Sequence, residues 1–218
     1  MGVQGLYKLI QKYAPDAIKI ITLKELAGWR IAFDTSQIVY QMCSIGQTRG
    51  IKNANGKLIH HIQGTFFRIA SMILAGIEPV MVFDGAPPLL KIQTIAKRKL
   101  ARDAGTATRI PHGVFLEVMK LFELMGVPYI QAPSEAESQG AFLTYNKNLC
   151  AVATEDIDTI VFGAKYMIRG LDTAAHRIQL IDTSRVLAEL SITQDQLIDL
   201  AIMLGCDYTG KLPGIGPT

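Results

Sequence analysis

With 218 residues, 49% of them hydrophobic, the chain is long enough for one α/β domain with a full core, or for such a domain with a small appendage. A net charge of +3 is too small to argue for nucleic acid by itself, so that case rests on local clustering. Cys43, Cys150 and Cys206 are far apart and form no C-x-x-C pair, which argues against a zinc site or disulfide framework and for a reducing, nuclear or cytoplasmic compartment; no run is apolar enough to span a bilayer, Glu78 and Pro79 interrupting 69–83, so no membrane is expected.

An amphipathic pattern over 6–13, stopped near Pro15, predicts a short helix, and 23–28 adds a helical turn or two. The run Arg30-Ile-Ala-Phe-Asp34 then reads as a buried strand. Helix continues over 36–45. Residues 47–57 are polar, with Gly50, Asn53, Asn55 and Gly56, and predict a loop. Phe66, Ile69, Ile73 and Leu74 have helical spacing over 62–75, and a second strand, Pro79-Val-Met-Val-Phe-Asp84, follows. Pro87-Pro88 forbids an immediate helix after it. Residues 91–104 hold Lys91, Lys97, Arg98, Lys99 and Arg102 against one acid, Asp103. An irregular stretch over 105–113, a helix over 115–125, a short strand over 127–130 and a helix over 134–145 come next. A third acidic strand starts at Cys150 and runs to Asp156 and Asp158. A hairpin is predicted over 166–180, with Asp172-Thr173 near its turn, then helices over 183–190 and 193–204 with threonine N-caps. This alternation predicts an α/β fold with a largely parallel central sheet flanked by helices.

In open α/β sheets, ligands sit beyond the carboxyl ends of the strands. Three strands ending in aspartate would therefore make one acidic hollow. One like-charged pair at ~4 Å costs roughly 4 kcal/mol at an effective dielectric near 20, and bound divalent metal is a natural compensation. Each further acidic stretch also has an ordinary reading. Ser134-x-x-Glu137 fits a capping box. Asp156 and Asp158, two apart on an extended strand, would share a face, yet fit a polar turn as well. Gly205 with Asp207 fits a helix C-terminal glycine followed by an Asx turn. None decides alone; their joint occurrence with Asp34 and Asp84 does. His60 and His61 precede a helix and satisfy no ligand spacing, which favours solvent or capping roles.

Six stretches in order carry a resemblance. They are Met1-Gly-Val-Gln-Gly-Leu6, Ala32-Phe-Asp-Thr-Ser36 with Tyr40, Val82-Phe-Asp-Gly-Ala-Pro-Pro88, Ala132-Pro-Ser-Glu-Ala-Glu137, Ala153-Thr-Glu-Asp-Ile-Asp158, and Leu204-Gly-Cys-Asp-Tyr208 with Pro213-Gly-Ile-Gly-Pro217. Together they resemble the flap endonuclease family of structure-specific 5′ nucleases, of XPG type. The resemblance implies a PIN-like 5′ nuclease core over 1–204, including a helical gateway over 91–125. It also implies the beginning of a helix-hairpin-helix DNA-binding element over 205–218.

The same resemblance implies that Asp34, Asp84, Glu135, Glu137, Asp156, Asp158 and Asp207 hold two Mg²⁺ ions, for which Mn²⁺ can substitute. Glu135, Glu137 and Asp156 would crowd one ion and Asp158 the other. Lys91 and Arg98 would neutralise charge on the scissile phosphate; the ordinary alternative is a solvated basic helix face. Lys97, Lys99 and Arg102 would attract phosphates more generally. Tyr40 would stack on the nucleotide beside the cut, unless it is a half-buried core tyrosine, and Gly2 would lie where a side chain does not fit. Gly214 and Gly216 would offer backbone N–H groups to duplex phosphates, with a monovalent cation near Gly214.

The implied activity is cleavage of DNA with a 5′ flap or single-strand/duplex junction, with 5′→3′ exonuclease activity, in DNA repair and replication. The alternatives are a ribonuclease with a similar acidic site and a truncated DNA-structure-binding module without turnover. The basic run and the hairpin weigh against the first, the full set of acids against the second. The gateway is shorter than expected for the family, the sliding-clamp binding motif is absent from this chain, and such reduction would suit a virus-encoded protein.

Overall fold

The computed structural model describes residues 2–103, 110–146, 149–171, 177–214 and 216, and of residues 45–49, 93, 97, 98 and 101–103 the backbone alone. In chain order the elements are α1 (Leu6–Tyr13), β1 (Ile18–Ile21), β2 (Arg30–Asp34), α2 (Thr35–Arg49), α3 (His60–Leu74), β3 (Glu78–Phe83), α4 (Ile92–Asp103) and α5 (His112–Met125). There follow β4 (Tyr129–Gln131), α6 (Ala136–Tyr145), β5 (Ala151–Ala153), α7 (Asp158–Val161), β6 (Tyr166–Arg169), β7 (Ile178–Asp182), α8 (Thr183–Leu190) and α9 (Gln194–Leu204).

The strands form one sheet in the order β1-β7-β6-β5-β2-β3-β4. From β6 to β4 neighbours are parallel; β7 and β1 add an antiparallel edge. The fold expected from the alternating pattern is therefore the one observed. The apolar runs are continuous because both faces of the sheet are covered. Ile31, Phe33, Met81 and Phe83 join Ile69, Met72 and Phe122 on one side. Ala32, Val80, Val82 and Val152 join Ala136 and Ala141 on the other. Each fully buried large side chain contributes roughly 1.5–3 kcal/mol. The second face is built for close approach: a Cβ on Gly140 would come within 3.0 Å of Val152 Cγ1, so α6 lies tight against β5 and brings its acidic N-terminus to the strand ends. A third apolar cluster, with Leu6, Ile10, Ile160, Met167, Val186 and Leu197, binds α1, α7, α8 and α9 to the β6–β7 side. Beside it the segment before α1 meets the segment after α9, Gln4 N–H donating to the Gly205 carbonyl at 2.9 Å. Among the described residues no helix is long and apolar enough to cross a membrane.

Several local expectations are corrected. Helix α2 runs through Arg49, into the segment expected as loop, and β1 is an edge strand that four residues of mixed polarity did not announce. Ser134 does not cap α6: Glu135 is the N-cap residue and makes no side-chain cap bond, while the Ser134 hydroxyl is buried without a partner among the described residues. Asp182, not Thr183, caps α8, accepting from Ser184 N–H at 3.0 Å and Arg185 N–H at 3.3 Å. Thr193 is the N-cap of α9 as expected, and it forms a capping box with Gln196. Asp156 and Asp158 do not share a strand face, because β5 ends at Ala153 and Asp158 opens α7. The hairpin is present as β6 and β7, while Asp172-Thr173 lies outside the described residues.

Candidate active site

From β2 the chain builds outward through β3 to β4, then returns to place β5 on the other side of β2. That reversal opens a crevice beyond the carboxyl ends of β2 and β5, the position where open α/β sheets bind ligands. Asp34 is the last residue of β2, and its Oδ1 accepts the Gln37 N–H at 3.0 Å. Asp84 follows β3 directly; its Oδ1 accepts the Ala136 N–H at 2.9 Å, taking the capping place that Ser134 leaves open. This bond ties the end of β3 to the start of α6, where Glu135 and Glu137 stand. Asp156 comes from the loop after β5. Asp207 arrives after α9, where Gly205 turns the chain with a φ of 90° that a side chain rarely adopts.

Six of the seven expected acids, Asp34, Asp84, Glu135, Glu137, Asp156 and Asp207, line one hollow of about 540 Å³. Asp158 is set back from it, buried, with Oδ1 accepting the Val3 N–H at 2.6 Å. Gly2 closes over this pair: a Cβ there would fall 1.8 Å from Asp156 Oδ1 and 2.5 Å from Asp158 Oδ1.

The acids strain against one another. Asp34 is pushed up to about 7 by burial, then by the charges of Asp84 and Asp156, against the help of the Gln37 N–H. Glu137 is pushed up to about 8 by burial and by Asp34, Asp84 and Asp156. Asp158 rises to about 7 through burial and Asp156, with the Val3 N–H pulling the other way. Desolvation and like charge act together here, the signature of a site short of positive charge.

Among the described residues, positive charge reaches these acids from Lys91, just before α4. Its ammonium pairs with Glu135 and lies 3.0 Å from Asp207 Oδ2. Burial pulls this ammonium down, but the hydrogen bonds and charges of Glu135 and Asp207 outweigh it and hold it above the usual lysine range. Tyr40, half-exposed on α2, lines the hollow and meets Phe115 edge to face at 6.5 Å. Lys99 is exposed on α4, while the side chains of Arg98, Lys97 and Arg102 lie outside the described residues. Gly214 is exposed with a φ of 79°, away from the hollow's lining, and Gly216 is half-buried; Ile215 between them lies outside the described residues.

Supporting residues that sequence reasoning missed stand beside the acids. Gln37 Oε1 accepts the Glu155 N–H at 3.1 Å, joining α2 to the loop that carries Asp156. Glu155 accepts the Gly170 N–H at 2.6 Å and pairs with Arg169 at 3.2 Å, which pins the same loop to the end of β6. Thr94 Oγ1 donates to the Asp207 carbonyl at 2.8 Å. The position of Gln37, three residues past a strand-ending aspartate, is the one signal that pointed to any of them. His61 is neither solvated nor a cap: it is buried in α3 with Nε2 2.8 Å from Glu117 Oε2 on α5.

All seven acids offer hard carboxylate oxygens, and three of them are desolvated and pushed up by their neighbours, which fits Mg²⁺ or Mn²⁺ rather than a softer metal. Among the described residues, no three His, Cys, Asp or Glu side chains are already drawn about one point as a finished chelate.

Residues 1–105 match the XPG N-terminal domain and residues 126–207 the XPG I-region. The chain is 40% identical over 245 residues to Flap endonuclease 1 of Danio rerio, an alignment covering 100% of this chain and 64% of that protein. Among solved structures it resembles the catalytic core of Rad2 in complex with DNA substrate, with a TM-score of 0.81 at 31% identity over 99% of this chain and 66% of that one. It also resembles flap endonuclease-1 from Methanococcus jannaschii, with a TM-score of 0.78 at 31% identity over 99% of this chain and 74% of that one. The likeness in fold runs over 99% of this chain in both structures. The chain belongs to the flap endonuclease family of XPG type. It spans a little under two thirds of the length of the curated relatives it matches, 64% for the Danio rerio protein.

Proposed function

We propose that the chain is a divalent-metal-dependent, structure-specific 5′ nuclease acting at single-strand/duplex junctions of DNA. It would serve as a flap endonuclease with 5′→3′ exonuclease activity in replication and repair. The observation that carries this reading is the hollow lined by six of the seven expected acids and by Glu155, with Asp34 and Glu137 pushed up to about 7 and 8. Likeness to proteins named Flap endonuclease 1 and to Rad2 held on a DNA substrate supports the reaction and the substrate class.

Asp34, Asp84, Glu135, Glu137, Asp156, Asp158 and Asp207 would hold the ions. When bound, these would polarise the phosphodiester and supply a nucleophilic water. The remaining tasks fall to the chain's own groups. Lys91 and Arg98, at the start of the gateway over 91–125, neutralise charge on the scissile phosphate. Tyr40 at the rim stacks on the neighbouring base, an interaction worth roughly 1–3 kcal/mol. Gly2 leaves the space in front of Asp156 and Asp158 free of a side chain. Lys97, Lys99 and Arg102 draw in the phosphate backbone. Residues 205–218 begin a helix-hairpin-helix element in which Gly214 and Gly216 meet duplex phosphates beside a monovalent cation.

Incubation of end-labelled 5′-flap DNA with the protein at low salt tests the reading. Junction-sized product with Mg²⁺, none with EDTA, and slower cutting of an RNA flap are expected. Absence of metal-dependent cleavage at high enzyme concentration overturns it.

A further inference from the structure

The lysine that pairs with the acids occupies ground a metal ion needs. Lys91 bridges Glu135, from the start of α6, and Asp207, from the segment after α9. The three side chains are 15%, 10% and 11% exposed, so water does little to weaken the contact. Lys91 closes the short turn Leu89–Lys91 that leads into α4, and the Thr94 hydroxyl holds the Asp207 carbonyl one turn further on. Charge and hydrogen bonding thus fasten the first turn of the gateway helix to two of the acids assigned to metal. Carboxylate oxygens engaged by an ammonium at hydrogen-bond distance are not free to ligate, and an ammonium left among bound divalent ions is repelled.

We propose that Lys91 is an internal counter-ion, which competes with divalent metal for Glu135 and Asp207 and is expelled when the metal enters. The inference rests on the reading of these acids as metal ligands. Its consequence is an ordered site: metal arrival frees the ammonium to meet a phosphate and loosens the first turn of α4 from Asp207. Without metal the lysine keeps the acids together and the gateway docked.

Calorimetric titration of Mg²⁺ and Mn²⁺ into the DNA-free protein, its Lys91→Met variant and its Lys91→Arg variant tests competition directly. Lys91→Met binds about tenfold more tightly, the equivalent of about 1.4 kcal/mol, and Lys91→Arg, which keeps the cation, stays close to the parent. In the parent, acetylation of Lys91 followed by mass spectrometry accelerates several-fold when Mg²⁺ is added, a readout needing no variant to fold. If the parent binds neither metal, the metal reading fails and this inference with it. If the parent binds metal, but Lys91→Met binds no more tightly or Lys91 reactivity is unmoved by Mg²⁺, the counter-ion role alone is overturned.

Discussion

Asp34 shows what a single carboxylate costs this fold. Its pKa of about 7 in the folded chain stands above the usual value of 3.8, and Glu137 and Asp158 are raised likewise. A group that binds its proton more tightly when folded stabilises the fold below its unfolded pKa, and that contribution is lost as pH rises through the folded one. With metal chelated, urea unfolding should therefore show stability falling as pH climbs from about 4 towards 8. Asp34→Asn keeps an acceptor for the Gln37 N–H and removes the charge. Its pH curve should be flatter, and at pH 8 it should be at least as stable as the parent while losing metal-dependent cleavage. A loss of more than about 2 kcal/mol in the metal-free variant would mark Asp34 as a structural residue instead. Glu117 has the opposite sign. Hydrogen bonds from Lys57 and His61 hold it below the usual glutamate range, so its contribution is present above the unfolded pKa and is lost on acidification. Glu117→Ala leaves His61 buried without this partner, and thermal unfolding at pH 7 should register a loss of about 1–3 kcal/mol; Glu117→Gln should recover much of it.

At the scale of elements, the site depends on how closely the β3 end approaches the start of α6. A Cβ on Gly85 would lie 2.0 Å from the Ala132 carbonyl oxygen, a backbone atom with nowhere to go. Gly85→Ala should push the two loops apart, draw Asp84 off the Ala136 N–H, destabilise the fold by about 1–3 kcal/mol and weaken Mg²⁺ binding in titration. Unchanged affinity and stability would mean that the loops tolerate separation. The central strands and the neighbouring positions of Asp34 and Asp84 are legible in the sequence, because apolar runs closed by aspartate leave little choice of element or face. The site's fastening is not. Asp84 caps α6 across 52 residues, and the Ser134-x-x-Glu137 pattern pointed to a purely local solution. The same locality hid Glu155, whose partners Arg169 and Gly170 lie at and just after the end of β6, and His61, whose partner sits on α5. Edge strand β1 stays hidden because its pairing with β7 comes from the far end of the chain.

For the molecule as a whole, the hollow is where independently packed regions meet. Asp34 and Asp84 hang from the central strands, Glu135 and Glu137 from the helix covering one face, and Asp207 from the α1–α7–α8–α9 cluster at the other side. An ion held by all of them binds the assembled chain and not its unfolded form, so binding energy becomes folding energy. At a free Mg²⁺ concentration 100 times the dissociation constant, one site adds about 2.7 kcal/mol. For a chain of this length each kcal/mol raises the melting temperature by about 2–4 °C. Scanning calorimetry should then show a rise of about 5–10 °C over the chelated protein, growing with metal concentration rather than saturating at stoichiometry. Asp207→Ala cuts the link to the α9 side and should reduce that rise while leaving the melting temperature of the chelated protein close to the parent's. If the full rise survives Asp207→Ala combined with Asp34→Asn, the stabilising metal sits somewhere other than this hollow.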